Sequence, residues 1–151
     1  MADEFTKVIA SGNARYTEMY YSGAEHIASG NYFEGEVKGA NYQTNEVSHT
    51  GSYSVKNNTA NDKVFEVSGQ VSSSLNDLSK DFRPGKYKVS FWTHQQSGTD
   101  TGTKLNFNGI VVSEVETVSA GCWKMFNYYV ELTPNTSFNL YATNTNGGGY
   151  Y

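Results

Sequence analysis

The chain has 151 residues, enough for one domain with a sizeable core, and aromatic residues make up 15% of it against only 17% charged. A formal net charge of −4 offers no basic footprint for a phosphate backbone and disfavours nucleic acid as a partner. No apolar run approaches the roughly 18 residues of a membrane-spanning helix, and the single cysteine, Cys122, excludes an internal disulfide.

The first thirteen residues, "MADEFTKVIASGN", lack the basic start and apolar core of a signal peptide and read as an N-terminal extension. On that reading the chain is either cytosolic or a piece of a larger secreted protein. From residue 14 to 151 the segments read as strands of one domain. "ARYTEMYYS", "GSYSVKN", "KVFEVSGQV", "GKYKVSFWTH", "TKLNFNG", "CWKMFNYYVEL" and "SFNLYAT" are short, β-branched or aromatic, and broadly alternating. Between them lie "NNTAND", "RPG", "QQSGTDTG", "TPNT" and "TNGGG", dense in the residues that turns require. Only "SSSLNDLSKDF" suggests a helical turn, with Ser74 as its cap. The expectation is an all-β, antiparallel β-sandwich.

Alternation assigns faces. In "KYKVSFWTH", Tyr87, Val89 and Phe91 are expected in the core, with Lys88, Ser90, Trp92 and His94 opposite. Leu105 and Phe107 point inward, away from Lys104, Asn106 and Asn108; Phe138, Leu140 and Ala142 point away from Asn139, Tyr141 and Thr143. If Phe126, Tyr128, Val130 and Leu132 are core, then Trp123, Met125, Asn127, Tyr129 and Glu131 face outward. The outer faces thus collect aromatic rings beside amides.

Catalytic patterns are weak. His26, His49 and His94 show no metal-binding spacing. Glu34 and Glu36 share one side of a strand, but such carboxylates are ordinary on exposed strands. Ser52 and Ser54 lie near His49 without a nucleophile elbow, and Cys122 reads as a small buried hydrophobe. The chain reads as a non-enzyme.

In order along the chain, "AEHIASGNYFEGEV", "HTGSYSVK", "DFRPGKYKVSFWTH", "GCWKMFNYYVEL" and "NGGGYY" resemble the carbohydrate-binding-module-like (galactose-binding-like) jelly rolls of secreted bacterial proteins. They are equally similar to accessory sandwiches of Rhs/YD-repeat surface proteins. The resemblance implies a jelly-roll sandwich, an extracellular or cell-surface setting within a longer protein, and binding of a polysaccharide or glycan without membrane insertion. It also implies a structural calcium ion held in part by Glu25, although the Asp of the family's last strand has no counterpart here. In the family a glycine turn leads into a last strand like Tyr-Tyr-Ile-Asp-Asp-Val. Here Tyr150 and Tyr151 stand at its start: either the sequence given stops inside that strand, or the sandwich is one strand short, its open edge beside "ARYTEMYYS" taking a strand peptide or a second copy.

For the sugar itself, the candidate residues are Trp92, Tyr129 and Tyr141 with Asn106, Asn127 and Asn139. A pyranose stacks its C–H face on an aromatic ring and gives its hydroxyls to neutral amides. The competing reading is that these aromatics pack under loops or cover sheet edges, or that the face docks a neighbouring domain.

Overall fold

The computed structural model describes Ala24, the backbone of residues 37–39, and residues 43–73, 82–94, 102–146 and 148–151. Ten strands run in chain order: β1 Val37–Gly39, β2 Gln43–Thr44, β3 Ser54–Val55, β4 Lys63–Gln70, β5 Gly85–His94, β6 Thr103–Phe107, β7 Ile110–Val112, β8 Glu116–Ala120, β9 Trp123–Leu132 and β10 Ser137–Asn144. Among the described residues there is no α-helix, and nothing long and apolar enough to cross a membrane as one. The expected helical turn over 74–81 and Glu25, Glu34 and Glu36 lie outside the described residues.

Every named ladder is antiparallel. One sheet has the order β1-β4-β10-β6-β7, a second the order β5-β9-β8, and β2 pairs with β3. The two larger sheets pack face to face into one core. Val67, Leu105, Phe138, Leu140 and Ala142 come from the first; Phe126, Tyr128, Val130 and Leu132 come from β9. Phe65 meets Phe91 edge-on across the interface, centroids 5.3 Å apart. The chain is therefore an antiparallel β-sandwich. Alternation gave the faces correctly, because each inward residue of β6, β9 and β10 is separated from the next by one outward residue.

Local sequence explains the joints. Asn108 and Gly109 both adopt positive φ, 51° and 81°, and form the two-residue type I′ loop that joins Phe107 to its partner Ile110. Gly121 (φ 61°) opens the Gly121–Cys122 turn between Ala120 and Trp123. That turn corrects the expectation for Cys122: it sits outside the ladder and is exposed, not a buried core residue. In β4 the register slips, with Phe65 opposite Ala142 but Lys63 opposite Thr143. Val64 is the extra residue of this bulge and is 1% exposed, so both it and Phe65 contribute to the core.

The C-terminal residues Gly149–Tyr151 also belong to a ladder. Tyr151 exchanges both backbone bonds with Val55, each 2.9 Å, and the Tyr150 carbonyl accepts from His94 N–H at 3.0 Å. Tyr150 and Tyr151 thus join β3 to the end of β5, linking the small sheet to the larger one. The side chains follow the backbone inward. Asn144, fully buried, donates from Nδ2 to the Tyr151 hydroxyl at 2.6 Å, and that hydroxyl lies 3.0 Å from Thr103 Oγ1.

Candidate functional site

The outer face of β5, β9 and β8 is built by direct cross-strand pairs. Along β5 and β9 these are Lys88 with Tyr129, Ser90 with Asn127, Trp92 with Met125, and His94 with Trp123. On the other side of β9, Glu116 lies opposite Asn127 and Val118 opposite Met125. Alternation aims all of these away from the core, so Trp92, Asn127 and Tyr129 share one surface.

Two of the outward residues are nonetheless buried. Asn127 is 0% exposed and Trp123 8%. For Trp123 the cover is aromatic: His94 meets it edge-on at 5.1 Å and His49 at 5.6 Å. His49 comes from the segment after β2 and lies flat on Trp92, centroids 4.0 Å apart and planes 18° from parallel. Its desolvation holds the imidazole below the usual histidine range. Trp92 itself is half-buried and Tyr129 is exposed.

Polar geometry singles out Asn127. Its Oδ1 accepts from the Ser90 hydroxyl at 2.7 Å, which fixes the amide orientation and leaves Nδ2 as the second polar atom. That Nδ2 is buried and has no hydrogen-bond partner. A buried amide donor left unmet costs about 1–3 kcal/mol, and groups of this kind are rare in folded proteins.

Next to this face a charged clamp fixes the C-terminal segment. Lys56 pairs with Glu46 at 2.8 Å, the Tyr150 hydroxyl donates to the same carboxylate, and the Lys56 ammonium lies 5.2 Å over the Tyr150 ring. The Lys56 hydrogen bond, then the Tyr150 one, hold the Glu46 carboxyl below its ordinary range.

The other three candidates lie on the opposite side of the sandwich. Tyr141 pairs with Asn106 and with Glu66, and Asn139 with Ser68, on the outer face of β4, β10 and β6. Their polar groups are engaged by neighbours. Asn139 Nδ2 donates to Glu66 at 2.5 Å, its backbone N–H donates to Asn108 Oδ1 at 2.9 Å, and Lys63 sits 4.7 Å over the Tyr141 ring. The six residues do not form one site. Residue alternation separates inside from outside, but it carries no information about which sheet a strand joins.

His49 was not among the candidates, although it is the residue that lies on Trp92. Only its aromatic neighbours at a distance in sequence give it that place. Among the described residues no cluster of three or more His, Cys, Asp or Glu side chains could hold a metal ion. No protein-family model matches the chain, and neither does any curated protein or solved structure.

Proposed function

We propose that the outer face around Trp92, Asn127 and Tyr129 is a non-catalytic binding site for neutral carbohydrate. The observation that carries this reading is the unmet Asn127 Nδ2 donor, fully buried in a row between the Trp92–Met125 and Lys88–Tyr129 pairs. A sugar hydroxyl or ring oxygen supplies the missing acceptor once the side chains covering Asn127 move aside, and the half-buried indole of Trp92 takes the C–H face of the ring. The face carries both signs of charge, with Glu131 opposite Lys86 and Glu116 opposite Asn127, which suits an uncharged ligand. In this reading the protein is a jelly-roll module of a larger extracellular protein.

Titration with a panel of soluble neutral polysaccharides, followed by tryptophan fluorescence, tests it. One stacked sugar gives a Kd near 1 mM, about −4 kcal/mol. Binding to at least one polysaccharide, lost in Trp92→Ala, is the expected result; no affinity for any of them at millimolar ligand overturns the reading.

A second reading, a structural sandwich that docks a neighbouring domain of a surface assembly, is favoured by one observation. Ile110, Val111, Val115 and Val118 stand 73%, 56%, 59% and 41% exposed along the β7–β8 side. Exposed apolar groups of this density mark interaction surfaces. Replacing Val115 and Val118 by Ser separates the two readings, since it leaves sugar affinity intact if the site is at Trp92.

A further inference from the structure

Strand β8 is the outermost strand of the β5-β9-β8 sheet, and every one of its residues is exposed. Its inner side pairs with β9 in an unbroken register, from Glu116 opposite Asn127 to Ala120 opposite Trp123. The Asn127 carbonyl accepts from Val115 N–H, so Asn127 turns its backbone groups towards β8. Residues of an antiparallel strand alternate between bonding one neighbour and the other. Glu116, Val118 and Ala120 therefore bond to β9, and Thr117 and Ser119 aim their N–H and C=O groups out of the sheet edge. Among the described residues, neither has a hydrogen-bond partner there. Open edges are normally blunted by lysine, proline or a bulge. The β8 strand has no lysine or proline, and its ladder has no register shift.

The side chains along this edge are complementary to themselves. Trp92, Met125 and Val118 stand side by side across β5, β9 and β8, so an apolar row runs to the edge and stops at a valine that is 41% exposed. Val118 is also the middle residue of β8, midway between Thr117 and Ser119. An antiparallel strand of the same sequence, centred on Val118, sets each Thr117 opposite the other copy's Ser119. The free edge N–H and C=O groups are then all met, and Thr–Ser pairs face each other on the inner side. Val118 meets Val118 in the closer, non-hydrogen-bonded kind of pair. Glu116, the one charged residue of the strand, falls opposite Ala120, so no like charges meet. The next registers that keep the edge bonding are worse. One sets Glu116 against Val118, and the other runs Thr117 past the end of the strand to Gly121.

We propose that β8 is a dimerisation edge, on which a second copy of this chain pairs antiparallel about a two-fold axis through Val118. The two three-stranded sheets become one, in the order β5-β9-β8-β8-β9-β5. The same patch serves on both copies, as a two-fold interface requires. The axis stands perpendicular to the sheet, so the outer faces of both copies look the same way and the Trp92–Met125–Val118 row continues into its own reverse. Val115, 59% exposed, comes beside the second copy's Gly121–Cys122 turn. The pairing strands are short, which makes the dimer a weak, concentration-dependent one. It needs no ligand and is independent of the sugar reading, but it occupies the β7–β8 side that a neighbouring domain would otherwise take.

Sedimentation velocity across the micromolar to millimolar range tests it, and the mass is expected to rise from one copy to two. Thr117→Pro removes an edge N–H without touching the β9 ladder. Because the two-fold repeats the loss in both copies, the variant is expected to raise the dimer Kd about thirtyfold. Thr117→Ala keeps the N–H and is expected to raise it about fivefold or less. Cysteine pairing reads the register without the proline variant. In a Cys122→Ser background, Val118→Cys is expected to cross-link to itself on mild oxidation, since non-hydrogen-bonded pairs bring Cβ atoms within disulfide reach. Glu116→Cys and Ala120→Cys are each expected to stay single alone and to cross-link when mixed. The proposal fails if the protein remains one copy at millimolar concentration, or if Thr117→Pro dimerises as well as Thr117→Ala. It also fails if Glu116→Cys cross-links to itself as readily as Val118→Cys does.

Discussion

The imidazole of His49 lies flat on the indole of Trp92, two residues that share no strand and no ladder. Burial favours its neutral form, so the folded-state pKa lies below the ordinary value of 6.5. The unfolded chain then binds more protons as pH falls, and stability follows with the same sign. The stacked arrangement is at full strength above the ordinary histidine value and weakens as pH drops through the lowered one. Tryptophan emission is expected to shift on acidification as Trp92 loses its cover, and the shift should vanish in His49→Gln. A shift of the same size in that variant would assign it to another group.

The Ser90 hydroxyl donates to Asn127 Oδ1 across the β5–β9 outer face. Replacing both, as Ser90→Ala with Asn127→Leu, removes the unmet Nδ2 donor together with its partner bond. Such paired removals are close to neutral or stabilising, so thermal unfolding is expected to change by less than about 1 kcal/mol in either direction. Sugar affinity should be lost. A variant that still binds would remove Asn127 from the site.

The two tryptophans are expected to behave differently. Trp123 is buried under His49 and His94, and Trp123→Ala should cost about 3–5 kcal/mol. Trp92 is half-buried and loses mainly its stack on His49, so Trp92→Ala should cost about 0.5–1.5 kcal/mol. Urea denaturation of both variants gives the comparison; equal costs would make Trp92 a structural residue.

Gly69 tests the core directly. A Cβ there would lie 2.7 Å and 2.8 Å from two carbons of the Phe82 ring, which itself packs edge-on against Phe138 with centroids 4.6 Å apart. Gly69→Ala forces that pair to move and should destabilise the protein by about 1–3 kcal/mol. The companion variant Gly69→Ala with Phe82→Leu should recover part of the loss.

The inward sets of β6, β9 and β10 were legible because a period of two is a local property of the chain. Tyr87, Val89 and Phe91 were read as core on the same grounds, and they do point inward. How deeply they are buried depends on what lies beside β5, which no local pattern contains. Trp123 and Asn127 were correctly placed on the outer face, but their burial was invisible: for Trp123 it comes from His49, far away in sequence. Tyr141 and Asn139 looked equivalent to Trp92 and Asn127 for a related reason, since a strand does not announce its sheet. The final two tyrosines were read as a strand start, and they do pair as one. Their partners, Val55 and His94, could be named only from the fold.

Those partners bear on how the protein reaches its native state. Tyr150 meets Glu46 across 104 residues of sequence, and it is through Tyr150 and Tyr151 that β3 and β5 are joined. Pairings between distant parts of a chain must overcome loop-closure entropy before they return any stabilisation. During synthesis the segment before β3 and β5 itself emerge long before the residues that link them. The β2–β3 pair must therefore wait undocked on that side until Tyr150 and Tyr151 leave the ribosome, which makes its docking a late event in folding.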